Sequence, residues 1–215
     1  MSLLLSPYPR GATPPGYTFV DEFESASSDN NYTITMQGSG GSHSTSGGVK
    51  RLVPALGGDG SVSLRRAGPI TAVELRARLQ PNANGESIRY LDLALGAGAL
   101  TPGDGTDTGA WWHTTLATGY TLAINNPTDL NGAIIARRRG GGGWDILREV
   151  QAMDWTVWRT YGIRVGGGQV QFSIDGAVVY SAADATFAGG DVAVSQGHYS
   201  GGLGAVAELD RLSTS

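Results

Sequence analysis

Apolar residues recur at every second position through much of the chain, and no stretch keeps helical spacing for more than about one turn. Val73, Leu75, Ala77 and Leu79 alternate with Ala72, Glu74, Arg76 and Arg78. Leu91, Leu93 and Leu95 alternate with Tyr90, Asp92 and Ala94, and Tyr120, Leu122 and Ile124 make another such run. Tyr161, Ile163 and Val165 are followed by Val170, Phe172 and Ile174. A period of two belongs to a pleated strand with one face buried, so these runs predict half-buried antiparallel strands. Turn residues separate them. Gly140–Gly143 predict a hairpin joining 134–139 to 144–150, and Gly166–Gly168 join two more strands. Asp175-Gly176 carries the type I′ signal between 172–174 and 177–180, because both central residues of that turn need positive φ. The segments 38–48 and 96–112, rich in Gly, Ser and Thr, read as long loops on a rigid sheet, the usual seat of recognition.

Composition narrows the class. Glycine is 34 of 215 residues and charged residues are 16%, which excludes coiled coils and helical bundles. The glycines cluster instead of falling at every third position, so the chain is not collagenous. With 40% hydrophobic residues it is not disordered by charge. Fifteen basic against nineteen acidic residues give a net charge of −4, which argues against a generic nucleic-acid binder. The absence of cysteine excludes disulfides, zinc–thiolate sites and thiol nucleophiles. No apolar run approaches the ~18 residues of a membrane helix, so no membrane insertion is expected. Leu3–Leu5 are too short for a signal-peptide core, and synthesis and folding in the cytosol are expected.

Pro7, Pro9, Pro14, Pro15 and Gly16 make residues 1–16 an extended arm. Leu3–Leu5 and Tyr8 are sticky for a free tail, which leaves three readings: an arm laid along its own domain, an arm docked on a neighbouring subunit, or simple disorder. Residues 17–215 then form the sandwich. Many short strands with Gly-rich turns imply an all-β fold, a two-sheet antiparallel sandwich or jelly roll.

The last seventy or so residues sharpen this. Trp158 to Val165 reads W-x-x-x-x-I-x-V, Val170 to Gly176 reads V-x-F-x-I-D-G, and Phe187 to Val194 reads F-x-x-G-x-V-x-V. A closing stretch ends Ala207-Glu208-Leu209-Asp210, and Tyr17 to Phe23 looks like an opening strand. This resembles the concanavalin A-like lectin/glucanase (laminin-G-like) domains, of the kind found in bacteriophage virion proteins. The resemblance spans residues 17–213 and implies a jelly roll. It does not choose between enzyme, lectin and structural domain.

Glycosidases of that fold carry acids on a Glu-x-Asp-x-Glu strand, whose alternate residues share a face and flank the scissile bond. This sequence has no such strand. Asp92 stands alone on its run, and Glu22-Phe23-Glu24 falls in the opening strand, where the resemblance implies structural acids. Asp145 and Glu149 share a face by spacing, but not in the family's pattern. No Gly-x-Ser-x-Gly elbow is present. No catalytic residue and no metal ligand is therefore expected, and no cofactor, save that Asp104-Gly105-Thr106-Asp107 could lend oxygens to calcium. The three histidines, His43, His113 and His198, read as ordinary loop residues.

For binding, two aromatic stretches qualify, since sugars stack on rings: Trp111-Trp112-His113, and His198 with Tyr199. Arg76, Arg78, Arg137, Arg139 and Arg148 form a candidate basic patch if they share the outer face of one sheet. The plain alternative is a solvated face laced with Glu74, Asp92 and Glu149. The expectation is a non-enzymatic virion component, a phage head-decoration or tail-fibre protein. Residues 1–16 would anchor it to other virion proteins or to sister subunits, and its sandwich would touch host-surface glycan. The alternative is a glycoside hydrolase or the carbohydrate-binding module of one.

Overall fold

The computed structural model describes residues 10, 12–37, 41–54, 60–80, 88–99, 116–126, 132–139, 144–151, 153–199 and 206–215. In chain order the strands are β1 (Phe19–Asp21), β2 (Thr33–Gln37), β3 (Ser42–Ser46), β4 (Val49–Val53) and β5 (Gly60–Ile70). Next come β6 (Ala72–Gln80), β7 (Ile88–Ala99), β8 (Leu116–Asn126), β9 (Gly132–Arg138) and β10 (Trp144–Gln151). Last are β11 (Arg159–Gly166), β12 (Gln169–Ile174), β13 (Ala177–Ala183), β14 (Gly190–Tyr199) and β15 (Val206–Thr214). They pair antiparallel in two sheets. One has the order β13-β12-β11-β6-β15-β4-β3, with β1 beside β15, and the other the order β10-β9-β8-β7-β14-β5-β2.

The period-two runs face one another across the sandwich. Leu75, Ala77, Leu79, Tyr161, Ile163, Val170 and Phe172 of the eight-stranded sheet pack with Leu91, Leu93, Leu95, Tyr120, Leu122 and Ile124 of the seven-stranded one. Tyr120 meets Phe172 and Phe187 edge-on, with ring centroids 6.2 and 5.3 Å apart, the geometry that aromatic quadrupoles favour. The fold is the expected two-sheet antiparallel sandwich.

The turns also form as the sequence indicates. β9 and β10 are a hairpin, Gly167 and Gly168 take positive φ between β11 and β12, and Asp175 and Gly176 turn at φ 51° and 79°. Three features differ from expectation. Residues 42–46 are strand β3 and residues 96–99 continue β7, so both expected loops are shorter than expected. Ser-His-Ser-Thr-Ser has no apolar alternation because β3 is an edge strand and holds on through its ladder with β4. A 3-10 helix covers Ala26–Asn31, six residues and thus about two turns. Its Ser, Asp and Asn side chains favour local backbone bonding that hydrophobic periodicity cannot register. Finally, a bulge between Ile146 and Arg148 sets Asp145 opposite Arg137 but Glu149 opposite Ile134. The extra residue reverses parity, so Asp145 and Glu149 lie on opposite faces of β10.

The arm's described portion lies on its own domain. The Arg10 guanidinium donates to Glu24 (2.9 Å) and to Asp210 (2.6 Å), and Pro14 is buried. Residues 1–9 and 11 lie outside the described residues.

Candidate functional site: the outer face of the seven-stranded sheet

Alternation fixes which side chains of this sheet point away from the core. Leu91, Leu93 and Leu95 point inward, so Asp92 and Ala94 point outward. Register then builds one row across all seven strands. It runs Glu149 (β10), Ile134 (β9), Ala123 (β8), Asp92 (β7), Ser195 (β14), Ser63 (β5), Thr35 (β2). Asp92 occupies the middle of that row, on the central strand.

Its neighbours are small and neutral. Ala94 and Ala193 form a separate apolar pair on this face, next to Thr121, Ala123, Ala136 and Ser195, all of them buried. Ser195 stands directly across from Asp92, yet its hydroxyl is engaged with that of Ser63 at 2.8 Å. The Thr121 hydroxyl donates to the Leu93 carbonyl at 3.3 Å. Asp92 is 0% exposed, and neither of its carboxyl oxygens has a hydrogen-bond partner. Desolvation pushes its pKa well above the ordinary carboxylate value.

The face does not assemble an acid pair among the described residues. Glu149 shares Asp92's face but stands three strand spacings away, about 14 Å. Asp191 lies opposite Gly96, four residues along β7, or about 13 Å. It is bound by Arg65 and by the Gly68 amide at 2.8 Å. Glycosidase carboxyl pairs sit about 5–5.5 Å or 6.5–9.5 Å apart. The positions two before and two after Asp92 hold Tyr90 and Ala94, where the glycosidase pattern holds Glu. Glu22 pairs with Arg211, and Glu24 with Arg10. The adjacent Asp21 accepts from the Phe23 amide (2.8 Å), Tyr32 hydroxyl (3.0 Å) and Asn31 amide (3.2 Å). The acids of the opening strand are structural.

The candidate binding residues are placed unevenly. Trp111, Trp112 and His113, with Asp104 and Asp107 of the calcium expectation, lie outside the described residues, in the connection from β7 to β8. His198 and Tyr199 end β14, and their side chains lie outside what is described. The five arginines do not share one sheet. Arg76 and Arg78 are on β6 of the eight-stranded sheet, whereas Arg137, Arg139 and Arg148 belong to the β9–β10 hairpin of the other. Arg76 pairs with Asp210 and Arg78 with Glu208, and both guanidiniums lie over Trp158, at 5.2 and 4.7 Å from its centroid. Arg137 bridges Asp145 (2.7 Å) and Asp184 (2.8 Å), and Arg139 joins Asp145 at 2.6 Å. The patch reads as basic in the sequence because three of its acidic partners, Asp184, Glu208 and Asp210, come from distant parts of the chain, whereas Asp145 is a near neighbour of Arg137 and Arg139.

Periodicity missed one cluster altogether. Lys50, the chain's only lysine, has a fully buried side chain ion-paired with Asp29 of the 3-10 helix and 2.9 Å from His43 Nδ1. His43 therefore lies on strand β3 in a tertiary contact and not in a loop. A single lysine among fourteen arginines was the available signal. Among the described residues no cluster of three His, Cys, Asp or Glu could hold a metal ion.

No family model and no curated protein matches the chain. Solved structures do. The Bacillus licheniformis β-glucanase superposes with a TM-score of 0.62 at 11% identity, covering 94% of this chain and 99% of that one. A LamA variant from Zobellia galactanivorans, in complex with laminaritriose and laminaritetraose, gives 0.63 at 13% identity, covering 92% and 98%. The carbohydrate-binding module CBM66 from Bacillus subtilis gives 0.51 at 12% identity, covering 83% and 94%. The fold is the jelly roll shared by glucanases and carbohydrate-binding domains. At these identities the likeness is one of architecture.

Proposed function

We infer that this chain is a glycan-binding jelly roll that does not hydrolyse its ligand, with the outer face of the seven-stranded sheet as its contact surface. One observation carries the reading: among the described residues Asp92 is the lone carboxyl at the centre of that face, and the nearest described acids of the face are about 13–14 Å away. General acid and nucleophile must flank one bond, and a single carboxyl cannot serve as both. What remains among the described residues of the face is a floor of small side chains, Ala, Ser and Thr, buried in this structure. The solved structures that share this fold include one in complex with laminaritriose and laminaritetraose and one carbohydrate-binding module, which supports carbohydrate as the ligand class.

Laminarin binding by calorimetry and reducing-end release from laminarin test this together. Binding without release is expected. Release that disappears in Asp92→Asn would show that a hydrolase operates at this face and would overturn the reading.

The finer expectation, a bacteriophage particle with residues 1–16 as anchor, belongs to the same proposal. Its support is the apolar, Pro-rich composition of that arm. Co-sedimentation with assembled particles, with and without residues 1–16, is its test.

A further inference from the structure

Asp92 presents a physical contradiction that resolves into a mechanism. Its carboxyl is buried with both oxygens unpartnered, and the side chains around it offer nothing. From β8 it is faced by Thr121 and Ala123, from β14 by Ala193 and Ser195, and on β7 by Ala94, none of which titrates; Tyr90, which alternation puts on the same face of β7, lies outside the described side chains. Among the described residues the charged groups of this face are remote. Arg65 of β5 is committed to Asp191, Glu149 is three strands away on β10, and Arg138 lies opposite Gly119, itself opposite Gly96. A carboxylate sealed in such a place is strongly disfavoured, while a neutral carboxylic acid costs far less. The dry face described here is therefore a state that only protonated Asp92 tolerates.

We propose that ionisation of Asp92 converts the outer face from this dry state to a hydrated one, and that this conversion governs ligand access to the face. The second half rests on the glycan-binding reading, but the first does not. In the hydrated state water or ligand hydroxyls satisfy the carboxylate. The Ser195 hydroxyl, directly across but now turned to Ser63, can rotate to join them.

The sign follows from burial. Desolvation raises the folded-state pKa of Asp92 above its unfolded value. Its contribution to stability is whole below pH ~3.9 and is lost as pH rises through the folded-state pKa. Access should follow the opposite course and increase with pH. Each unit by which the dry-state pKa exceeds the hydrated-state one permits about a tenfold gain in affinity.

Three measurements test this: thermal unfolding from pH 4 to 9 for the wild type and Asp92→Asn, laminarin affinity over the same range, and the wild-type Asp92 carboxyl carbon followed by NMR. The wild-type Tm should fall away from that of Asp92→Asn as pH rises, and the carboxyl should titrate well above the usual Asp range. Wild-type affinity should rise about tenfold or more, while that of Asp92→Asn stays flat and weak. Parallel Tm profiles, or a carboxyl that titrates normally, overturn the proposal without any appeal to ligand. Laminarin binding that ignores pH overturns the access claim alone. Absent binding at every pH, with Tm profiles that still diverge, removes the glycan reading and leaves the ionisation switch supported. The NMR titration needs no variant, so misfolding of Asp92→Asn would not blunt the test.

Discussion

On the outer face of the eight-stranded sheet, Glu208 accepts from Arg51 (2.9 Å), Arg78 (2.8 Å) and Gln80 (2.7 Å), and Asp210 is held by Arg10 and Arg76. On the outer face of the seven-stranded sheet, Asp92 accepts from nothing. Both Glu208 and Asp92 are buried, so exposure does not separate them. Company does. One face is a lattice in which strands from distant parts of the chain are tied by matched charges. The other has its described charges at a distance from its centre, where one unsatisfied carboxyl stands among small neutral side chains. Buried unsatisfied groups are rare and concentrate where function retains them, which marks the second face as the candidate site. The two groups also respond to acid in opposite directions. Burial works against the Glu208 charge, but hydrogen bonds from Arg78, Gln80 and Arg51 outweigh it and hold its pKa below the ordinary value. Burial instead holds the Asp92 pKa above its ordinary value.

The strongest way to break this contrast is Glu208→Ala. It should destabilise the sandwich by about 2–3 kcal/mol at pH 7, because three donors lose one acceptor. The loss stays at that level because Arg51 is half-exposed and can return to water. Linkage gives the pH course. A depressed folded-state pKa contributes stability that is present above pH ~4.3 and is lost as pH falls through the folded value. Urea unfolding should therefore show the wild type and Glu208→Ala converging in acid. A difference that persists unchanged at pH 2–3 would mean that the carboxylate is not what holds these strands together.

Ala193→Leu probes the opposite face. Ala193 is 1% exposed and packs beside Ala94, in the same-face row next to that of Asp92. If the face is dry and filled, three extra carbons must displace what covers it, at a cost of about 1–2 kcal/mol. A neutral or stabilising result by urea unfolding would show the face to be loosely packed and would remove the desolvation on which Asp92's behaviour depends.

The sequence revealed the layers more readily than the site. β6, β7, β8, β11 and β12 each alternate strongly because one face of each is core, and the Asp175-Gly176 turn needs only two residues to declare itself. β3 carries no such signal, since an edge strand of Ser, His and Thr buries little. The bulge that parts Asp145 from Glu149 is a matter of one extra residue, which composition does not register. Asp92 was visible as a solitary acid, but its isolation was not. That depends on β7 lying between β8 and β14, and β14 follows it by about ninety residues in the chain. The arginines misled for the same reason: Asp210, Glu208 and Asp184, which neutralise them, reach β6 and β9 only through folding.

The smallest expected effect sharpens the eight-stranded side. Trp158 precedes β11 and lies under the Arg76 and Arg78 guanidiniums, each of which also holds a carboxylate. The ring's negative face favours both cations and keeps them aimed along the sheet. Trp158→Leu keeps an apolar body at the position and removes the π face, so it should cost about 0.5–1 kcal/mol. A double-mutant cycle with Arg78→Gln isolates the contact, since the Arg78–Glu208 bond is lost from both arms of the comparison. A coupling energy of zero would mean that the carboxylates alone order this face. A measurable coupling would show that its rigidity comes from an aromatic ring as well as from paired charge, a support for which the floor around Asp92 has no counterpart among the described side chains.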